Sequence, residues 1–189
     1  MIFYYLYRIK LKSMKIEKLK FQDFYLIKPA IYKDDRGIFY RHFCEKELKK
    51  KKIKISAKQG NISNSLKKGT LRGFHYKQKP SKEFKVLSCI SGSLFHNAVD
   101  LRKNSKTYLK NFSITLKSSD RFSIIIPPLC ANAFLTLEDN TTVHYYMGDF
   151  FEKDKYKGFR YDDPKFNIKW PFKPKIINQR DKSFPDYKS

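Results

Sequence analysis

The octapeptide Leu71-Arg72-Gly73-Phe74-His75-Tyr76-Lys77-Gln78 sets an arginine, a glycine and a histidine within four residues. Arg72 is a permanent cation whose planar fork suits a phosphate. His75 is the side-chain type that exchanges a proton near neutral pH. Gly73 has no side chain, so a ligand or another backbone can come close there. A phosphate hook beside a base points to an enzyme acting on a phosphorylated small molecule. On these eight residues alone, the simpler reading is an edge strand with a surface arginine and a hydrogen-bonded histidine. As an extended strand, the segment would turn Arg72, Phe74 and Tyr76 one way and Gly73 and His75 the other.

The elements that must position these residues read as short strands. Phe24-Tyr25-Leu26-Ile27 ends at Lys28-Pro29, and Ile38–Phe43 returns after the turn Asp34-Asp35-Arg36-Gly37, where Gly37 can take a positive φ. Glu45–Lys52 is the best short helix candidate. In Gln59–Ser65 the residues at 59, 61, 63 and 65 are all polar, so one face of that strand is either solvated or lines a ligand cavity. Further strands follow at 84–90, 94–102, 108–116, 121–126, 133–137 and 141–151, with Ser91-Gly92-Ser93 reading as a hairpin turn. Tyr161–Trp170 is turn-rich, and Trp170-Pro171-Phe172 reads as an anchor onto the body. Many short strands with few helices predict an all-β antiparallel sandwich or jelly-roll barrel. There is no internal repeat or linker, so residues 14–189 read as a single domain. Residues 1–13, ahead of Met14, read as an N-terminal extension.

Composition narrows the partners. The chain of 189 residues carries a formal net charge of +23, from 41 Lys+Arg against 18 Asp+Glu, which favours anionic ligands. The positive charge is spread along the chain, and only Lys49–Lys52 forms a run, so neither a nucleic-acid face nor a membrane-binding patch is indicated. Residues 1–11 are apolar and aromatic but too few to span a bilayer. Cys44, Cys89 and Cys130 are far apart with no CxxC, which predicts no zinc site, no disulfide framework and a reducing cytoplasm. His42, His75, His96 and His144 form no HxH or HxxxH pair, so no metal is expected.

In order along the chain, Asp34-Asp35-Arg36-Gly37, Gln59-x-Asn61-x-Ser63, Leu71–Tyr76, Lys85, Ala98-Val99-Asp100-Leu101-Arg102, Ile126-Pro127, Tyr161-Asp162-Asp163-Pro164, Ile168-Lys169-Trp170-Pro171 and Arg180-Asp181 form an ordered set. That set resembles the dTDP-4-dehydrorhamnose 3,5-epimerases from about Met14 to the C-terminus. The resemblance implies a cupin-type jelly roll, a homodimer, no cofactor, and a nucleoside-diphosphate 4-keto-6-deoxysugar as substrate in surface-polysaccharide biosynthesis. It also implies roles. His75 would be the base, Asp181 the carboxylate that orients it, Lys85 the cation near the keto oxygen, and Tyr145 the opposing proton donor. Arg36, Arg72 and Arg180 would contact phosphate and sugar, and Gln59 and Asn61 would line the pocket. The chemistry is consistent: C–H bonds beside a ketone are acidic because the carbanion delocalises as an enolate. Inversion then needs a base on one face, a donor on the other and a cation at the oxygen.

Four positions depart from the family pattern. His96 stands where the family usually has Asp, and Asn132 where it usually has His. Imidazole and amide each donate and accept, so the two are expected to hydrogen-bond to each other, and the lost carboxylate should shift the substrate or the epimerised carbon. Arg41 replaces a glutamate near the nucleotide base and cannot accept its hydrogen bonds. Phe150-Phe151 replaces a tyrosine-rich pair, leaving Tyr145 as sole donor. The expected activity is therefore epimerisation at C3, C5 or both. The alternatives are a single-centre epimerase, a 3,4-ketoisomerase, a sugar-nucleotide binder without catalysis, and a basic nucleic-acid binder.

Overall fold

The computed structural model describes residues 13–188. Apart from Ser13, the expected N-terminal extension lies outside the described residues. Two antiparallel sheets face each other. The first runs in the order β1 (Lys15–Lys18), β2 (Tyr25–Lys28), β10 (Ser123–Ile126), β7 (Lys85–Ser91), β12 (Thr141–Met147) and β5 (Gln59–Ser65). The second runs β13 (Tyr156–Gly158), β6 (Thr70–Lys77), β11 (Cys130–Thr136), β8 (Ser93–Asp100) and β9 (Asn111–Lys117), with β14 (Ile176–Ile177) parallel to β6. A separate hairpin joins β3 (Ile31–Asp34) to β4 (Gly37–Tyr40), its turn using Gly37 at φ 123°. Among the described residues the helices are α1 (Glu45–Lys50) and α2 (Gln179–Lys182), with one 3₁₀ turn at Lys153–Lys155. The architecture is the expected all-β jelly roll of the cupin type.

Apolar side chains fill the space between the sheets. Leu87, Leu94, Ala98, Leu116, Ile124, Ile126, Phe134 and Val143 point inward and meet Phe21, Phe24 and Leu26. Both sheets are also covered outside. Ile27, Val86 and Ile125 pack under Leu48 of α1, Ile53 and Ile55. Phe74, Val99, Ala131 and Ala133 pack under Phe159, Phe166 and Trp170 of the C-terminal segment. Trp170 donates from Nε1 to the Tyr161 carbonyl at 3.0 Å and its ring lies 6.0 Å from that of Phe74, which makes it the anchor its sequence context implies. A strand covered on both faces reads as a continuous apolar run, and Ile124-Ile125-Ile126 of β10 is such a run.

Two expectations from the sequence are corrected. Ser91-Gly92-Ser93 does not close a hairpin: β7 and β8 belong to different sheets. Gly92, at φ 72°, carries the chain across the barrel edge, where an added Cβ would come within 2.6 Å of Thr141 Oγ1. Nor does β6 alternate strictly. Against β11, His75 pairs with Asn132 and Arg72 with Phe134, so β6 spends three steps where β11 spends two. The extra residue is a bulge. It sends Phe74 to the outer layer and leaves Arg72 and His75 on the same side of the sheet.

Leu48, fully buried, seals α1 to the first sheet. Leu48→Ala is expected to cost about 2–5 kcal/mol, measured as a lower midpoint in urea. A loss below about 1 kcal/mol would show that this outer layer does not support the sheet.

Candidate active site

The bulge in β6 faces a cavity of about 180 Å³ between the sheets. From the second sheet, Arg72 and His75 of β6 and Asn132 and Phe134 of β11 line it. From the first, Ser63 of β5, Lys85 and Leu87 of β7 and Tyr145 of β12 line the opposite side, and Asn178 and Asp181 close it from α2. The inward polar face of β5 now has its physical reason. Gln59, Asn61, Ser63 and Ser65 are the less exposed residues of that strand, while Gly60, Ile62 and Asn64 face outward.

Asp181 is buried, with 1% of its side chain exposed, and both carboxylate oxygens are engaged. Oδ1 lies 2.7 Å from His75 Nε2, and Oδ2 accepts the Gly73 N–H at 2.9 Å. Asn178, at the N-cap of α2, accepts the Asp181 N–H at 2.7 Å, which fixes the carboxylate's backbone. Burial opposes ionisation of Asp181, but the hydrogen bond and charge of His75, the Gly73 amide and Arg180 outweigh it, and its carboxyl sits below the ordinary aspartate value. Gly73 is required here. At φ 120° an added Cβ would lie 2.5 Å from Ala133 Cβ and 2.6 Å from the Asn132 carbonyl. The close approach anticipated at Gly73 is thus by a neighbouring strand.

The remaining walls are cationic and phenolic. Lys85 keeps 12% of its side chain exposed, and desolvation pushes its ammonium below the usual lysine value against the charge and hydrogen bond of Glu83. Burial raises the Tyr145 hydroxyl above its ordinary value, opposed by Arg72 and helped by Glu83. Arg72 makes only long contacts, 3.5 Å to Ser65 Oγ and 3.4 Å to the Asn64 carbonyl, and its side chain is exposed at the mouth.

Other residues singled out from the sequence sit elsewhere. Gln59 and Asn61 lie on the same inward face of β5 as Ser63, where Gln59 Nε2 donates to Asn61 Oδ1 at 3.3 Å. Arg36 is at the exposed tip of the β3–β4 hairpin, paired with Asp34. Arg41 donates to Glu47 Oε1 at 2.7 Å beside α1. Arg180 is exposed on α2 with its guanidinium over the Phe184 ring. Phe151 packs on the Tyr156 ring at 5.0 Å and is 56% exposed. Among the described residues, no three His, Cys, Asp or Glu side chains cluster so as to hold a metal ion.

The expected hydrogen bond between His96 and Asn132 does not form. In the β8–β11 register His96 lies opposite Phe134 and Asn132 opposite Ala98, so the two are offset along the ladder. Asn132 Nδ2 donates instead to the His75 carbonyl at 3.2 Å. His96 is fully buried with neither ring nitrogen hydrogen-bonded, and burial, then Lys85, pushes its pKa down to about 3. It is a neutral imidazole inside the barrel. Leu87, Phe134 and Asn178 line the cavity without having been singled out. The two apolar residues carry no chemical signal, and Asn178 is legible only as the N-cap of a four-residue helix.

The sequence model of the dTDP-4-dehydrorhamnose 3,5-epimerase family matches residues 18–189. The chain is 31% identical over 169 residues to the dTDP-4-dehydrorhamnose 3,5-epimerase of Shigella flexneri, covering 89% of this chain and 93% of the relative. It is 33% identical over 162 residues to that of Methanothermobacter thermautotrophicus, covering 84% and 86%. The crystal structure of the Bacillus anthracis dTDP-4-dehydrorhamnose 3,5-epimerase, with TDP and pyrophosphate bound, superposes with a TM-score of 0.89 at 29% identity, covering 93% of this chain and all of that one.

Because the folded Asp181 has a depressed pKa, its ionisation stabilises the fold above the unfolded aspartate value near 3.8, and that stabilisation is lost as pH falls through the lower folded value. Asp181→Asn should therefore be less stable than wild type at neutral pH, with the gap closing in acid. Urea midpoints from pH 7 down to pH 2 check this. A gap independent of pH would contradict it.

Proposed function

The chain belongs to the dTDP-4-dehydrorhamnose 3,5-epimerase family, and we propose that it inverts C3, C5 or both of a nucleoside-diphosphate 4-keto-6-deoxysugar through an enolate formed in the His75 cavity. The observation that carries the mechanism is the placement of His75 and Tyr145 on opposing sheets with the cavity between them. A sugar ring held there presents one face to each. His75 takes the proton beside the ketone, and Asp181 steadies the imidazolium that results, keeping its ring in one orientation. Lys85 places positive charge at the enolate oxygen, where charge develops in the transition state. Tyr145 returns a proton from the other wall, and inversion follows.

The cavity is smaller than the ~300–1,000 Å³ that encloses a drug-sized ligand, so it takes the reacting ring while the nucleotide lies outside. Arg72, exposed at the mouth and held by long contacts only, would meet the diphosphate, and Gln59 and Asn61 extend the polar wall of β5 beside Ser63. The Legionella pneumophila relative, 27% identical with a TM-score of 0.84, was solved with dTDP-4-keto-L-rhamnose, a ligand of the class assigned here. Arg36 sits in the turn of the β3–β4 hairpin and Arg41 directly follows it, and the hairpin exposes Ile31, Ile38 and Phe39. Ile62, Leu66 and Ile90 are exposed as well, so apolar side chains are available for a homodimer to cover. Among the described residues no helix is long and apolar enough to cross a membrane. The cysteines are free, with Cys89 and Cys130 buried, in keeping with a cytoplasmic enzyme that supplies sugars for surface polysaccharide.

His75→Ala should slow inversion ~10²–10⁴-fold, the usual worth of a general base. Configurations at C3 and C5 of the product, read after borohydride reduction, report the rate. Inversion at the wild-type rate would remove His75 from the mechanism. Tyr145→Phe should retain proton loss but return the proton mostly to the original face, and normal inversion in that variant would require another donor.

A further inference from the structure

A buried lysine that must carry charge needs a counter-ion, because removing an ammonium from water favours the neutral amine. Lys85 Nζ lies 3.5 Å from Glu83 Oε1, and the two side chains are 12% and 4% exposed. Tyrosine holds the carboxylate, and a serine fixes the backbone that carries it. The Tyr156 hydroxyl donates to Oε2, and the Glu83 N–H donates to Ser81 Oγ at 3.0 Å. Ser81 in turn donates to Asp149 Oδ2 at 3.2 Å, and Lys77 ties down Asp149 at 2.9 Å. One oxygen of Glu83 is thus bonded to tyrosine and the other is directed at Lys85. At 3.5 Å the pair is loose, and an ammonium has three donors, so Lys85 keeps donors for the cavity it lines.

Resting on the epimerase reading of the cavity, we infer that Glu83 is a positioning residue that acts through Lys85, fixing the charged ammonium against the place where the enolate oxygen forms. The other groups facing Lys85 cannot serve in its place. The Tyr156 ring lies 5.6 Å from Nζ and its hydroxyl is committed to Glu83. His96 is a buried neutral imidazole from β8. Across the cavity stand Arg72 and His75, with Asp181 already bonded to His75 and Gly73, and on the same wall as Lys85 stands Tyr145, whose raised pKa keeps it neutral. Lys77, on β6, is also a cation, and it is bonded to Asp149, Glu152 and the Phe150 carbonyl.

Glu83→Gln keeps an acceptor for Tyr156 and removes the charge. Two readings separate a positioning role from a merely structural one. The first is the titration of Lys85 by the ¹³Cε resonance of labelled lysine, assigned by its loss in Lys85→Met. The second is the alkaline limb of the inversion rate. We expect the Lys85 midpoint to fall by about 1–3 pH units and the alkaline limb to move down with it. Adding His96→Asp, which places a carboxylate on the β8 side of the same lysine, should bring both back upward. Should Glu83→Gln fail to fold, Glu83→Asp draws the charge away from Nζ and should give a smaller shift in the same direction. An unmoved midpoint in an enzyme that still inverts its substrate would overturn the inference and leave the epimerase reading intact. A lowered midpoint with an unmoved alkaline limb would overturn the role of Lys85 in the reaction itself.

Discussion

One carboxylate organises this site. Asp181 bonds through one oxygen to His75 and through the other to the Gly73 amide, joining residues that lie 106 and 108 positions away along the chain. A buried carboxylate is tolerable only when such partners meet it, so the contact constrains everything that delivers it. The C-terminal segment must cross the outer face of the second sheet, where Phe159, Phe166 and Trp170 bury it against Phe74 and Val99. It must then pair in parallel with β6 through Ile176 and Ile177, which sets α2 beside Gly73. The hydrophobic layer and the geometry of the candidate site therefore depend on each other: the aromatic anchor places the helix, and the helix presents the carboxylate.

The same contact accounts for the irregularity of β6. A regular strand would turn Arg72 and His75 to opposite faces, whereas the bulge against β11 turns both to the cavity and sends Phe74 into the outer layer. Gly73 sits at the tightest point, where the neighbouring strand leaves no room for a side chain. Facing it, the first sheet contributes Lys85, Leu87 and Tyr145 from the inward positions of two paired strands, β7 and β12. On the proposed mechanism the reacting sugar would lie between a base anchored to one sheet and a cation and a hydroxyl anchored to the other. Rigid strands fix such separations better than loops do.

Much of the barrel was legible because its strands carry strong local signals. The β-branched run of β10 and the polar alternation of β5 each show up as the structure uses them. What stayed hidden was relational. A glycine turn at Gly92 announces a change of direction but not which sheet receives the next strand. A bulge arises from two strands in register, so Leu71–Gln78 read alone implied strict alternation. His96 and Asn132 were matched by their hydrogen-bonding capacity, but the β8–β11 register offsets them, and each met a different environment. Glu83 left no trace at all, because a glutamate two residues before a strand lysine is ordinary until Tyr156, 73 residues later, donates its hydroxyl to it.

The proposed mechanism turns on His75 removing a proton from a carbon beside a ketone in this cavity. The direct measurement is proton NMR of a dTDP-4-keto-6-deoxyglucose solution in D₂O with purified protein. If His75 acts so, the C3 signal, the C5 signal or both disappear as deuterium enters, with the incorporated label on the inverted centre. Unchanged signals at both carbons with thymidine, cytidine, uridine and guanosine diphosphate sugars alike would contradict it, and would leave a barrel that binds a sugar nucleotide without enolising it.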